Sequence, residues 1–575
     1  MKFPGTFFRA IKRLVSVGPG ERLLPVASGL LLTLSFPPFD LLVPPFVALV
    51  PFLLFMAERP AGATGRWSAA RGGFLMGLVY FGLLLYWLFV ALVYYSKLAI
   101  AAYALTVLIL GIFTATFASA LHFVRERTPV PFALAVAALW TAIEWVQGHL
   151  GDLSFPWLGL GSAVSAFPRV AGAADLVGAR GLTFWLALAN GLIAMGILAY
   201  REGRPVRRIA AAALVTIALP VAYGAWRVET LEVRPAGRVA VVQPNIPEDL
   251  KMQQAAAVDS TLTAVTHLMG RIEPGSVDLV VWPEVTLPTV LAYSLVQDHV
   301  RRLSALVDAP VVAGAYGLTG DPRGDYTLYN SSFVVTPDGL TGDVYHKKYL
   351  VPFVERIPFI DPARLEAIIG DVRYFGGLGR GEEAPAFAAG DARYGILICY
   401  ESIFAEHSRD FRLQGVDYLV NMTNDAWYGR EPWYARTTAL WQHPAHLSMR
   451  AIEQRVGIAR AANTGISMFV DPLGRTYEET ELFEPDVRIA TVYTTDEITL
   501  FARWGDWLAT GATLAAALMV LSGALYGGRG GARTGAGPTG ARSLAAAGGP
   551  LRDGDSPGGV GAEGETGEAG LTDGR

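Results

Sequence analysis

The chain is 575 residues long, 52% hydrophobic and only 17% charged, with a mean hydropathy of +0.35, whereas charges make up about a quarter of an ordinary soluble domain. A single soluble domain is excluded, because the apolar excess crowds into residues 23–226 and returns once near residue 507. The formal net charge of −4 provides no basic footprint for a phosphate backbone, which excludes a nucleic-acid partner.

A membrane-spanning helix needs about 20 mainly apolar residues. Residues 72–96, 98–124, 181–200, 209–226 and 507–528 contain no Asp, Glu, Lys or Arg, and each is expected to span. Residues 23–36 and 41–57 flank Phe36-Pro37-Pro38-Phe39-Asp40, which cannot stay helical, so they read as a helical hairpin. Residues 130–148 carry Glu144, a costly group in lipid that is expected near an interface or against protein. The expected order is seven spans within residues 1–227, a water-soluble body over 228–505, a last span over 506–528, and a tail over 529–575. That tail has 15 glycines in 47 residues and no aromatic residue, a composition expected to be disordered.

Orientation follows from Lys and Arg in the connections. One side collects 14 of them (Lys2, Arg9, Lys12, Arg13, Arg22, Arg59, Arg66, Arg71, Arg125, Arg127, Arg201, Arg204, Arg207 and Arg208), and the other has only Lys97, Arg169 and Arg180. Both termini are therefore expected in the cytoplasm and the body outside it, periplasmic or extracytoplasmic. A cleaved signal peptide is disfavoured, since no A-x-A-like site follows residue 36 and further spans come after it.

The body alternates short β-rich runs with helical patterns, the sign of a layered α/β domain. Expected strands are 238–243, 277–282, 310–315, 332–336, 394–399, 416–421, 467–471 and 489–493, and residues 446–462 read as a helix stopped by Asn463-Thr464-Gly465. Three strand ends carry reactive groups: Trp282-Pro283-Glu284, Tyr345-His346-Lys347-Lys348 and Cys399-Tyr400-Glu401. Loops after strands are where chemistry gathers in such folds. Taken singly, Cys399 reads as a small buried hydrophobe, Glu284 as a residue of a first helical turn and Lys347 as a surface charge. Together they allow acyl transfer without histidine. Glu284 takes the thiol proton, and Lys347 stabilises the thiolate and then an oxyanion. His346, His407, His443 and His446 show no pairing motif with the cysteine. No metal-ligand spacing is present, and neither metal nor other cofactor is expected.

The joint wording resembles the nitrilase superfamily, whose members carry a Glu-Lys-Cys triad on an α-β-β-α sandwich, and within it the membrane-embedded apolipoprotein N-acyltransferases. The likeness runs from about residue 20 to 526. It rests on Val281-Trp282-Pro283-Glu284, Tyr345-His346-Lys347 with Leu350, and Ile398-Cys399-Tyr400-Glu401. It also rests on Val242-Gln243-Pro244-Asn245-Ile246-Pro247, Leu350-Val351-Pro352-Phe353 with Glu355, Asn424-Asp425-Ala426-Trp427-Tyr428-Gly429, Ala462-Asn463-Thr464-Gly465-Ile466-Ser467 and Phe155-Pro156-Trp157-Leu158. The fold implied is a multi-span α-helical membrane domain plus an α/β nitrilase-like sandwich. The resemblance makes Cys399 the nucleophile, Glu284 the general base and Lys347 the electrostatic partner, with Glu355, Tyr400 and Glu401 supporting them. Two positions depart from the pattern: Met252 stands where tryptophan is usual near the substrate, and Val354 where glycine usually follows the Leu-Val-Pro-Phe run.

The implied reaction passes an acyl chain from a membrane phospholipid, through a cysteine thioester, to the α-amine of a diacylglyceryl-modified lipoprotein. Its partners are that donor, that acceptor and the bilayer. Tyr80, Phe81, Tyr86, Trp87 and Phe89 are candidates to line a lateral access route. A tethered amidase or nitrilase acting on a small soluble substrate would use the same triad, but has no need of seven preceding spans. A transporter or sensor is disfavoured by the scarcity of ionisable residues in the spans.

Overall fold

The computed structural model describes residues 22–93, 99–251, 255–291, 294–321, 326–361, 364 and 376–530. Met252, Lys97, the basic residues before Arg22 and the glycine-rich tail after residue 530 lie outside the described residues.

Helices occupy each segment expected to span. Ala99–Arg127, Ala174–Arg201, Arg207–Thr230 and Trp507–Leu525 are long and apolar enough to cross a membrane, while Leu23–Leu34, Pro44–Ala57 and Phe132–Gly148 are shorter. Over the segment 72–96, expected to be one span, the described residues form a bent pair of helices. A helix begins earlier, at Ala63, ends at Leu84, and bends by 53° into Trp87–Val93. Leu85 leaves helical geometry at the break, and Trp87 turns inward to pack 4.8 Å from Trp157 and 5.0 Å from Tyr428, centroid to centroid. Gly73 and Gly77, four residues apart, let the Ala63–Leu84 and Ala99–Arg127 backbones approach. A Cβ on Gly73 would sit 2.5 Å from the Thr114 carbonyl, so small residues make this helix contact possible in lipid, where packing rather than hydrophobicity holds helices together. Glu144 is buried, and its carboxylate accepts from Trp140 Nε1 (2.7 Å), Leu160 N (2.9 Å) and Thr183 Oγ1 (2.6 Å). It faces protein rather than lipid.

Among the described residues the body has thirteen strands: β1 Arg234–Gln243, β2 Leu279–Val281, β3 Leu287–Val290, β4 Val311–Gly320, β5 Tyr326–Thr336, β6 Gly339–His346, β7 Phe387–Ala389, β8 Ala392–Ile398, β9 Tyr418–Thr423, β10 Gly457–Ala462, β11 Met468–Val470, β12 Thr476–Tyr477 and β13 Asp486–Thr494. They form two sheets, one ordered β13-β1-β2-β4-β5-β6 with β3 beside β4, the other β12-β11-β10-β9-β8-β7. Strand alternation explains the layers. Val239 and Val241 of β1 share a buried cluster with Ile396 and Val420, which take one face of the second sheet, while Leu419 and Ile458 take its other face. Ala240 and Val242 point the other way, onto Val265, Leu268, Val300 and Leu303 of the helices Ala255–Met269 and Ser294–Val307. The helices Ala405–Leu413 and Ala439–Gln454 add Phe411, Leu447 and Ala451 to the same cluster, with Phe411 lying against Gly395 of β8. The result is the α-β-β-α sandwich.

Each of the eight expected strands is present, with shifted ends. The helix expected over 446–462 is corrected. It runs from Ala439 to Gln454, Arg455 turns left-handed at φ 52°, and residues 457–462 form β10, parallel to β9. Asn463-Thr464-Gly465 therefore ends a strand rather than a helix. The Ala and Gly residues of β10 look helical or neutral by propensity, but a fully buried central strand accepts them because neighbouring strands supply the pairing. β3, β6, β7 and β12 carry no strong run of their own.

Body and helices meet across buried polar contacts. Arg180 on the Ala174–Arg201 helix pairs with Glu406 at 2.7 Å and with Asp506. The Phe155-Pro156-Trp157-Leu158 loop lies under the body, with Trp157 stacked 5.5 Å from His443 and donating to Gln442 Oε1 at 2.9 Å.

Candidate active site

Glu284 follows β2 after Trp282-Pro283. Gly314 of β4 makes room for this loop, because a Cβ there would collide with the Pro283 carbonyl. Val285 then adopts φ 41°, a left-handed conformation that a β-branched residue holds only when its surroundings impose it. Lys347 leaves β6, its backbone N–H donating to the Asn330 carbonyl at 2.8 Å. Cys399 leaves β8, also left-handed at φ 51°.

These strand ends bring the expected groups together. Lys347 Nζ donates to Glu284 Oε1 at 2.9 Å and to Glu355 Oε1 at 3.0 Å. Asn330 Nδ2 bridges the same two oxygens at 2.7 and 2.9 Å. Glu284 Oε2 accepts from Asn424 N at 3.0 Å, and Glu355 Oε2 from Val351 N at 2.8 Å. All of these side chains are buried. Burial opposes the Lys347 charge, but Glu284 and Glu355, with Cys399 beyond them, hold its pKa well above the ordinary lysine value. Burial pushes the Cys399 thiol well above its ordinary range and Glu284 adds to this, while Lys347 and Thr423 oppose it. The resting sulfur is therefore a thiol, and a reaction through thiolate requires a base.

Glu401 links two of the strand ends. Its Oε1 accepts from Tyr345 Oη (2.6 Å), Lys348 N (2.7 Å) and Tyr349 N (3.1 Å), and its Oε2 from Ile398 N (2.7 Å). Burial would raise this carboxyl, yet His407, Tyr345 and the Ile398 amide hold it below the ordinary glutamate value. Tyr400 points towards the helices and donates to the Ser154 carbonyl at 2.7 Å. Val354 is accommodated without glycine, because Phe353 takes the left-handed position of that loop at φ 64°. Of the aromatics expected along an access route, Tyr80, Phe81 and Trp87 are buried in the helical core, and Tyr86 and Phe89 are exposed.

Three supporting groups escaped the sequence reading. Asn330 lies within β5 with no motif to announce it. Asn424 and Asp425 sit in a recognised run, but their partners become visible only in three dimensions. Asp425 Oδ1 lies 2.9 Å from His443 Nδ1, and Asp425 Oδ2 accepts from Arg460 Nη2 at 2.5 Å. His443 Nε2 in turn lies 3.1 Å from the Cys399 carbonyl. Burial would raise Asp425, but Arg460 and His443 hold its carboxyl down at about 2.

Residues 28–192 match the family described as the apolipoprotein N-acyltransferase N-terminal domain, and residues 238–497 match the carbon-nitrogen hydrolases. The chain is 31% identical over 517 residues to an apolipoprotein N-acyltransferase of Geobacter metallireducens, covering 87% of this chain and 95% of the relative. It is 30% identical to that of Chlorobaculum tepidum, covering 87% of this chain and 96% of the relative. A crystal structure of a CN-hydrolase superfamily protein from Xanthomonas campestris aligns with 48% of this chain and 96% of its own length, at 18% identity and a TM-score of 0.33.

Proposed function

The chain belongs to the apolipoprotein N-acyltransferase family, and from that premise we propose that it moves an acyl chain from a membrane phospholipid, through a thioester on Cys399, to the α-amine of a diacylglyceryl-cysteine on a lipoprotein. The observation that carries the site assignment is the buried contact of Lys347 Nζ with Glu284 Oε1 at 2.9 Å, in the electrostatic reach of the only cysteine.

In the first step Glu284 takes the Cys399 proton and the sulfur attacks the ester carbonyl. The tetrahedral oxyanion develops beside the Lys347 ammonium, which needs no reorganisation to meet it. Collapse breaks the ester C–O bond, and Glu284 returns its proton to the departing lysophospholipid oxygen. In the second step a neutral acceptor amine attacks the thioester and Glu284 takes its proton. The C–S bond breaks, the sulfur is reprotonated from Glu284, and an amide is left on the lipoprotein. Glu355 and Asn330 keep Lys347 and Glu284 in register, and Glu401 holds the Lys347 and Cys399 loops together.

The membrane placement fits this chemistry. Both substrates carry long acyl chains, each exposed methylene costing about 0.8 kcal/mol in water. A body held against the bilayer leaves those chains in lipid while their head groups react. In this reading the body lies outside the cytoplasm and both termini inside, as the Lys and Arg asymmetry requires. The test is intact-mass analysis of the purified protein mixed with phospholipid. One acyl adduct on wild type, absent in Cys399→Ala and much slower in Glu284→Gln and Lys347→Ala, is expected. An adduct on Cys399→Ala would refute the nucleophile, and thioester formation at the normal rate in either other variant would remove that residue's role. Release of ammonia from small amides without an adduct would favour a tethered amidase instead.

A further inference from the structure

Two charged residues one helical turn apart, Glu248 and Lys251, are buried beside the site and take no part in the steps above. Glu248 Oε2 accepts from Asn424 Nδ2 at 2.7 Å, and it is the backbone N–H of the same Asn424 that donates to Glu284 Oε2 at 3.0 Å. Lys251 Nζ reaches the loop carrying Glu284 from its other side, donating to the carbonyls of Val285 at 3.2 Å and Glu284 at 3.4 Å. It thus fastens the turn in which Val285 holds φ 41°. Asn424 has no freedom to compensate, since its Oδ1 accepts from Asn463 Nδ2 at 2.9 Å. The loop ahead of Glu248 is anchored too, Asn463 Oδ1 accepting from Ile246 N at 2.9 Å and Asn463 Nδ2 donating to Ile246 O at 2.7 Å.

We infer that Glu248 and Lys251 are positioning residues for the Glu284 carboxylate, and that their opposed charges move the pH dependence of thioester formation in opposite directions. This rests on the reading of Glu284 as the base. A buried acid and a buried amine are both costly unless they serve one another or a neighbour, and here Lys251 grips the loop that carries Glu284 while Glu248 grips Asn424, one of the residues that donate to it. The charged groups facing Glu248 are Lys251 and Asp249 from its own helix and Glu284 from the β2 loop, with Asn424 as its hydrogen-bond donor. Those facing Lys251 are Glu248 and Glu284. Burial pushes the Glu248 carboxyl up to about 7 against the pull of Lys251 and Asn424, and burial lowers Lys251 against the two glutamates. Near neutrality the charge of Glu248 therefore changes. A negative neighbour favours the protonated form of a carboxylate and a positive neighbour favours the ionised form.

The test is the rate of thioester formation on Cys399, measured by intact mass with phospholipid across the acid-to-neutral range. Glu248→Gln keeps an oxygen for Asn424 and removes the charge that Glu248 gains as pH rises through about 7, so the near-neutral part of the acid limb should move to lower pH, by up to about one unit. Lys251→Met removes the positive charge, so the limb should move to higher pH by a similar amount. A merely structural pair would lower both rates with the limb in place. Unmoved limbs, or limbs moving the same way, overturn the inference. If Lys251→Met does not fold, the direction of the Glu248→Gln shift alone decides. Failure of the base reading is separate: it shows as normal thioester formation in Glu284→Gln, whatever Glu248→Gln does.

Discussion

Glu355 Oε1 lies 3.0 Å from Lys347 Nζ, within the same cluster as Glu284, so the buried ammonium faces two carboxylates rather than one. With Glu355 absent, Lys347 keeps a single anionic partner and Asn330 loses one of the two oxygens it bridges. The lysine is then drawn towards Glu284 and away from the position where an oxyanion forms. Glu355→Ala should lower the rate of thioester formation by about 100-fold, in the range seen when an oxyanion-stabilising group is lost. Single-turnover adduct formation measures this, and a rate within about 3-fold of wild type would show that Glu355 is not needed to place the lysine.

Glu401 acts at a distance from the sulfur. Its two oxygens accept three backbone amides and one phenol, from Tyr345 of β6, from the loop after it and from Ile398 at the end of β8. Glutamine offers one acceptor and one donor, so Glu401→Gln sets an N–H against at least one backbone N–H in a fully buried place. A cost of about 1–3 kcal/mol is expected for each buried group left unpaired. The variant should melt at lower temperature and form the thioester more slowly, because the two loops no longer share an anchor. An unchanged melting temperature with normal turnover would remove Glu401 from the scaffold.

How far the sequence could be read follows the range of the interactions. The apolar windows, the strand β1 with its alternating Val239 and Val241, and the runs ending in Glu284, Lys347 and Cys399 are local patterns, and local physics places them. The break at Leu85 and Tyr86 was not legible, since nothing in an uncharged window says where Trp87 must turn to meet Trp157 and Tyr428. Nor was β10, whose Ala459, Ala461 and Ala462 form a strand because β9 and β11 lie on either side. The same limit hid Asn330 and the Asp425–His443–Arg460 chain. Their partners are far away in sequence, and only the closed sandwich brings them into contact.

Acid should weaken the fold through Asp425. Its folded pKa is depressed from 3.8 to about 2, burial notwithstanding, by Arg460 and His443. A depressed carboxylate contributes stability that is present above its unfolded pKa and is lost as pH falls through the folded one. The contribution is roughly 2 kcal/mol at neutral pH, and it disappears between about pH 4 and pH 2. Asp425→Asn should therefore be less stable than wild type at neutral pH, with the gap narrowing across that acid window. Melting curves of both proteins in detergent over the pH series provide the check. A gap that stays constant down to the acid end would mean the ion pair contributes nothing through titration.

The attachment of the body to the helices should depend on Asp175. Its Oδ2 accepts from Arg455 Nη2 at 2.8 Å, Arg455 Nε at 3.0 Å and Arg227 Nε at 3.0 Å, while Oδ1 accepts from Tyr223 Oη at 3.0 Å. Arg455 belongs to the body, immediately after the Ala439–Gln454 helix, whereas Asp175 and Arg227 belong to two apolar helices. Removing one partner of a buried pair leaves the other charge uncompensated, at about 3–5 kcal/mol. Asp175→Ala should thus lower the melting temperature strongly, whereas Asp175→Ala with Arg455→Met should recover part of the loss, because no unpaired body guanidinium remains. Membrane contact follows from the same anchor: a loosened body should form the thioester more slowly with phospholipid in vesicles than with a short-chain soluble ester. Equal losses on both donors, with no recovery in the double variant, would show that Asp175 serves the helices alone and not their union with the catalytic sandwich.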